Sequence, residues 1–352
     1  MNKPRKLQKG DKVAIVSLSS GMLGEDFCRH NIEIGTRRLK EYGLEPVFMP
    51  NTLKGISYLA EHPEARASDL KQAFMEDSIA GIICAIGGDD TYRLLPYLME
   101  DFAFKQAVQN NPKLFTGFSD TTINHLMLYQ LGLQTYYGPN FICDLGELAN
   151  EMLPYTKEAF ESYLEGSSYN QICSSPIWYE ERKDFSSAAV GTERIAHKEE
   201  RGYELLQGPK IFSGELLGGC LESMYDILEG TRDPDEKEIC ERYHLFPNRK
   251  VWEGKILFLE TCEEKPIPEL FEKELCALKE RGVFDAVNGI LAGKPQDETY
   301  YEEYKELLKK VVHNDRLPIV YNVNFGHALP RCALPIGAEA TVDMMKKTIL
   351  FG

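Results

Sequence analysis

No run in this sequence approaches the roughly 18 consecutive apolar residues that a membrane-spanning helix needs. The apolar stretch Val13–Leu18 near the basic start, MNKPRKLQKGDK, is too short for a secretory core and has no small-residue cleavage site behind it. Excess positive charge is also missing. Forty Lys and Arg stand against 55 Asp and Glu, a formal net charge of −15, which disfavours nucleic acid polymers and anionic membrane surfaces as partners. The nine cysteines are an odd number and none are spaced C-x-x-C, which argues against a disulfide framework or a zinc site. No P-loop, dinucleotide fingerprint or metal-ligand spacing occurs. A soluble cytoplasmic protein with reduced thiols and no cofactor is the expectation.

What is present is ordinary globular material, 43% hydrophobic and 27% charged over 352 residues, enough for two cores. The first half alternates strand and helix patterns. Lys12–Leu18, Glu45–Met49, Gly81–Ile86 and Lys113–Phe118 have strand character. Asp26–Tyr42, Glu64–Met75 and Thr121–Leu131 have helical patterns, the first and last stopped by Gly43 and Gly132. Such alternation predicts an α/β fold with a parallel sheet and helices on both faces. Residues 167–210 are polar and charged and predict a connection with a large surface loop. Order resumes after that, with strands at Lys255–Leu259, Gly289–Leu291 and Pro318–Val323 and helices at Leu221–Leu228, Pro268–Arg281 and Glu298–Val312. A hairpin over Ala338–Asp343 and Thr348–Phe351 closes the chain. The division expected is an N-terminal domain over 1–166, a connection over 167–210 and a smaller mixed α/β domain over 211–352.

Chemistry concentrates at strand ends. In Leu114-Phe115-Thr116-Gly117-Phe118-Ser119-Asp120-Thr121-Thr122 a strand runs straight into a helix with Ser119 at the corner. Such a corner lifts a serine out of the sheet and leaves the N–H of Asp120 free to face an oxyanion. The plainer reading is that Ser119 or Asp120 caps the helix. A serine nucleophile needs a base. Among seven histidines, His327 follows a buried strand in a glycine-containing loop, where α/β sites are commonly built. Glu260 ends the apolar strand before it and, once buried, needs a partner. Glu263 and Glu264 follow in a more polar context and are expected in solvent. Ile86-Gly87-Gly88-Asp89-Asp90-Thr91 is a glycine-rich turn whose N–H groups could serve an oxyanion or cradle a phosphate. Asp90 adds a negative charge that argues against phosphate. A kinase-like or nucleotide-sensing protein built on Gly87–Thr91 is the alternative, and a binding protein on a degenerate scaffold the third reading.

Several segments together resemble the LD-carboxypeptidases and their relatives, the microcin C immunity peptidases. They are Ile86–Asp90, Gly117–Thr122, Tyr137-Gly138-Pro139, Gly214–Leu221, Leu259–Glu264 and Asn324–His327, in family order over nearly the whole chain. The resemblance implies a flavodoxin-like N-terminal domain and a smaller C-terminal one, with the site between them in a homodimer. It implies a Ser–Glu–His triad at Ser119, Glu260 and His327, with oxyanion donors from the backbone of Asp120, Gly87 and Gly88. The substrate implied is a murein LD-peptide or a microcin C-like peptidyl or aminoacyl nucleotide. The insertion over 177–208 resembles the immunity branch, in which a tryptophan stacks on the nucleotide base. Tyr203 stands at the corresponding place here, and Trp178 is nearby.

Overall fold

A computed structural model describes every residue from Met1 to Gly352. Sixteen strands form two main sheets and one small ribbon. In the first half, Lys12–Val16 (β1), Glu45–Phe48 (β2), Ile79–Cys84 (β3), Leu114–Gly117 (β4) and Thr135–Tyr137 (β5) lie parallel in the order β2-β1-β3-β4-β5. That is the order of flavodoxin-like folds, with helices on both faces. Strands β1, β3 and β4 are almost entirely buried, as continuous apolar runs require when both faces are covered.

The second half contributes Gln171–Cys173 (β6), Ile177–Tyr179 (β7), Ala196–Lys198 (β8), Glu204–Gln207 (β9), Ile211–Cys220 (β10), Ile256–Glu260 (β11), Gly289–Gly293 (β12), Ile319–Val323 (β13), Leu334–Ile336 (β14), Glu339–Asp343 (β15) and Thr348–Phe351 (β16). Eight of these form the second sheet, in the order β6-β16-β15-β10-β11-β12-β13-β9. It is parallel at its centre and antiparallel at its margins.

The second sheet has eight strands against six in the first, and two expectations are corrected. The first sheet is mixed rather than parallel, because β14 returns from the far end of the chain and pairs antiparallel with β5. Residues 167–210 are not only connection and loop: β6 and β9 join the second sheet, and β7 and β8 form their own ribbon.

The two halves share an apolar cluster of 70 buried residues, so they are packed together rather than joined by a hinge. They meet where the first sheet's carboxyl edge faces β10 and β11. Thr122 Oγ1 accepts from the N–H of Cys220 at 2.9 Å, and the Tyr137 ring packs 5.4 Å from Phe258.

The second half buries carboxyl groups that form no salt bridge. Burial, then neighbouring carboxylates, push Glu222 up to about 7 and both Glu236 and Glu274 up to about 9. In an unfolded chain a glutamate loses its proton near pH ~4.3. The folded state therefore holds more protons than the unfolded state between that pH and about 9, and stability falls as pH rises through this window. Thermal melts should show a melting temperature that declines from pH 5.5 to 9, by about 1 kcal/mol of stability or more per pH unit. Glu274→Gln, which mimics the neutral form, should flatten the decline. A melting temperature that rises over this range would contradict the assignment.

Candidate active site

Strand β4 ends at Gly117, and helix Thr121–Gln130 begins four residues later. Ser119 makes the corner with φ +66°, a left-handed conformation that a serine adopts only under constraint. Its N–H donates to the Tyr137 hydroxyl at 3.0 Å and its carbonyl accepts from Thr122 Oγ1 at 2.7 Å, leaving Oγ without a partner in the chain. The capping alternative fails, because neither Ser119 nor Asp120 makes a side-chain cap bond to this helix.

The Asp120 side chain turns back instead. It accepts from Ser19 Oγ at 2.6 Å and from the N–H of Thr91 at 3.0 Å. This buried carboxylate ties the Ser17–Gly21 turn and the Gly87–Thr91 turn to the serine corner. Burial pushes it up to about 6, with the Ser19 bond opposing. Gly87 packs so closely on Ser119 that a Cβ there would sit 2.7 Å from the serine Cβ. The N–H groups of Gly87, Gly88 and Asp120 donate to nothing in the chain. Two of the turn's groups are occupied internally: Asp90 is held by the buried Arg66 at 2.6 and 3.0 Å, and Thr91 by Asp120. With the Thr91 N–H taken and two carboxylates standing beside the turn, the place does not suit a phosphate, which disfavours the kinase-like alternative.

From the other half, Glu260 ends β11 at 2% exposure. It receives the Tyr137 hydroxyl at 2.5 Å, and its Oε2 lies 3.1 Å from the His327 N–H and 2.9 Å from its Nδ1. Tyr137 thus joins the serine corner to the glutamate. Burial and then Glu260 raise the phenol's pKa well above its ordinary value, so it stays a donor. Gly326, at φ +75°, lets the loop pass over Glu260, since a Cβ there would meet its Cδ at 2.2 Å. His125, also near Ser119, is fully buried between Thr135 and the Gly117 carbonyl; burial lowers it to about 4, so it is neutral and structural.

These groups open onto a cavity of about 640 Å³ whose wall includes Gly87, Gly88, Ser119, Glu263, His327 and Arg331. The insertion supplies another part of the wall. Arg182 and Arg194 from it clasp the buried Glu147 of the first half, each at 2.7 Å. Of the two residues expected to stack on a base, neither lines the cavity. Tyr203 is 1% exposed, next to the Tyr155 hydroxyl. Trp178 lies in the β7–β8 ribbon, stacked on His197 at 4.2 Å with the Lys294 ammonium 5.0 Å from its ring. Cys220, Glu260 and His327 have ligand atoms within 4.8 Å of one another, a spacing a metal could bridge. The donor set fits poorly, because both imidazole nitrogens already face carboxylates and burial holds the thiol protonated.

A strained serine held out beside unpaired N–H groups, at the carboxyl edge of an α/β sheet, is the apparatus of a serine hydrolase. The family profile of the LD-carboxypeptidase N-terminal domain matches residues 13–138, and that of the C-terminal domain residues 213–342. The chain belongs to the LD-carboxypeptidase family and is a serine-type carboxypeptidase or amide hydrolase. A solved MccF-like protein from Streptococcus pneumoniae in complex with AMP is 51% identical, with a TM-score of 0.94 over 97% of this chain and 98% of that one. The probable murein peptide carboxypeptidase of Bacillus subtilis is 27% identical over 354 residues, 98% of this chain and 93% of that protein. The microcin C7 self immunity protein MccF shares the fold at a TM-score of 0.79 and 23% identity, over 99% of this chain and 98% of that one. It has been solved as an active site mutant with a serine, an asparagine and a lysine each changed to alanine, and in complex with aspartyl sulfamoyl adenosine.

The expected Ser–Glu–His triad is corrected by these findings. The active site mutant of MccF changes an asparagine and a lysine beside its serine, not a glutamate and a histidine. In this chain, His327 turns Nε2 to Glu263 at 2.9 Å rather than to Ser119. Glu263, expected in solvent, keeps a side chain 64% exposed while making this bond. Burial pulls the His327 pKa down, but Glu260 and Glu263 override it and lift it to about 10. An imidazolium has no lone pair with which to take a proton from a serine. The cavity wall holds no lysine; its cations besides His327 are Arg182, Arg194 and Arg331.

Proposed function

We propose that Ser119 attacks the carbonyl of a small amide substrate, and that the N–H groups of Asp120, Gly87 and Gly88 receive the oxyanion that forms. The observation carrying this reading is the left-handed Ser119 corner, its Oγ unbonded, opening beside unpaired N–H groups onto the cavity. Donors fixed before reaction stabilise developing charge without reorganisation, typically by about 3–4 kcal/mol per donor. Glu260 and His327 belong to the site as a buried ion pair in the cavity wall, with Glu263 on the other ring nitrogen. Ser119 Oγ forms an ester with the carbonyl carbon as the scissile C–N bond breaks, the serine's proton leaves on the departing amine, and water then hydrolyses the ester, freeing the acid and restoring the hydroxyl.

The substrate class we favour is a small peptide or an aminoacyl nucleotide, in a soluble cytoplasmic homodimer. The AMP complex of the pneumococcal relative and the aspartyl sulfamoyl adenosine complex of MccF support the nucleotide arm; the murein peptide carboxypeptidase of Bacillus subtilis supports the peptide arm. No helix is long and apolar enough to cross a membrane. The test is mass spectrometry of products after incubation with a murein tetrapeptide and, side by side, with an aminoacyl sulfamoyl adenosine. Cleavage of an amide in either is expected, with release of terminal alanine or of the free amino acid. Both compounds intact after prolonged incubation would sink the proposal.

A further inference from the structure

Arg331 follows His327 by four residues and is 2% exposed, yet it forms part of the cavity wall. Its guanidinium lies 4.2 Å from the centre of the Phe118 ring. Phe118 immediately precedes Ser119 and packs edge-on against His327 at 5.1 Å. The guanidinium is thus stacked on the residue before Ser119, and both Arg331 and Ser119 face the same cavity. Both of its bonds to Asp144, at 2.8 and 2.9 Å, leave from Nη1. Nε is buried and has no partner in the chain.

A guanidinium is a planar fork whose donors come in pairs along its edges. Asp144 engages Nη1 alone, so the edge formed by Nε and Nη2 is not used. The other two arginines of the wall are spent: Arg182 gives Nε and Nη2 to Glu147, and Arg194 gives Nε to Glu147 and Nη1 to Glu181. A buried donor without an acceptor is costly, and a ligand that supplies the acceptor recovers that cost on binding.

We propose that the free edge of Arg331 binds an oxyanion on the leaving-group side of the scissile amide, making Arg331 the residue that selects anionic leaving groups. This rests on Ser119 being the attacking group. The chemistry recognised is common to both substrate arms. In a peptide with a free end, the terminal carboxylate carbon is two bonds beyond the scissile nitrogen. In an aminoacyl sulfamoyl or phosphoryl nucleoside, the sulfur or phosphorus is bonded to that nitrogen directly. Either places two oxygens a short way past the carbonyl under attack. Asp144, paired at Nη1, fixes the plane of the fork and offsets part of its charge, which suits a group that must be released after each turnover.

The experiment is titration calorimetry on the full chain carrying Ser119→Ala, so that no probe is consumed. The probes are N-acetyl-L-lysyl-D-alanine, its C-terminal amide and aspartyl sulfamoyl adenosine. With Arg331 present, the acid should bind about 30-fold or more tighter than the amide, and Arg331→Lys, which keeps the charge but loses the fork, should cut that preference below about threefold. If the sulfamoyl compound loses affinity in Arg331→Lys while the peptide acid does not, the oxyanion is that of the nucleotide, and the proposal stands for that source. The double change Asp144→Asn with Arg331→Gln removes both members of the buried pair, and its melt reports folding. It too should show no preference for the acid. A preference unchanged in both variants, with sulfamoyl adenosine affinity also unchanged, overturns the proposal, as does failure of every probe to bind. Turnover of the same probes by the unaltered chain is read separately. Intact probes with the binding preference present would count against the hydrolase reading alone.

Discussion

Replacing Ser119 with alanine is expected to lower turnover by a factor on the order of 10⁵ while moving folding stability by less than about 1 kcal/mol. The two halves of this expectation have separate causes. The hydroxyl makes no bond in the chain, so deleting it leaves no partner unsatisfied, and the N–H and carbonyl that hold the corner remain in place. What is lost is the atom proposed to form the covalent bond to the substrate. Residual activity would come from oxyanion binding and positioning by Gly87, Gly88 and Asp120, which act without a nucleophile only weakly. Steady-state kinetics with whichever substrate the wild type cleaves, together with a thermal melt, checks both halves. A variant that keeps more than about a hundredth of the wild-type rate would show that another residue attacks.

Gly326→Ala should have the opposite profile, with large losses in stability and activity together. The new methyl carbon would sit 2.2 to 2.4 Å from Cδ, Cγ and Oε2 of Glu260, and the residue is held at φ +75°. Both effects oppose alanine. Glu260 is buried with the Tyr137 hydroxyl and two His327 groups bonded to it, so it cannot step aside without breaking those bonds. We expect a cost of about 3 kcal/mol or more, the range of a disrupted buried hydrogen-bond network. In the fraction that folds, the imidazolium is displaced from the cavity, and activity should fall by at least about a hundredfold. Chemical denaturation gives the first number and the rate per folded molecule the second. Wild-type stability in this variant would mean that the close packing of Glu260 under the loop is not the arrangement in solution.

The continuous apolar strands and the amphipathic helices of the first half could be read directly from the sequence, because burial on both faces leaves an unambiguous run. Strand β10 could not. Its sequence, IFSGELLGGC, carries three glycines and resembles a turn. The glycines are there for packing: a Cβ at Gly218 would lie 1.8 Å from the Phe258 carbonyl oxygen, and one at Gly219 would strike Thr122. Close approach to the neighbouring strand at Gly218, and to the first half at Gly219, forces a composition that local pattern takes for a breaker. Strand β14, three residues long and paired with a strand some 200 positions earlier, has no local signature at all.

The serine corner and the backbone donors were legible because strand–turn–helix geometry is local. The environment of His327 was not. That Glu263, in a polar run, would reach Nε2 and keep the imidazole charged depends on how the loop after β11 folds over the site, and one exposed glutamate among 55 acidic residues carries no signal of it. The contributions of Tyr137 and of the Asp120 side chain were likewise hidden, since each acts on residues far away in sequence. Tyr203 shows the converse error: an aromatic placed by alignment of a motif went to the core instead of the cavity.

The most direct measurement of the central claim is covalent trapping. The folded protein is treated with a serine-reactive fluorophosphonate, digested, and mapped by mass spectrometry. A single stoichiometric adduct on Ser119, absent from the denatured protein and from Ser119→Ala, is the predicted result. A folded protein that remains unlabelled, or one labelled on a different serine, would contradict the assignment of Ser119 as the nucleophile.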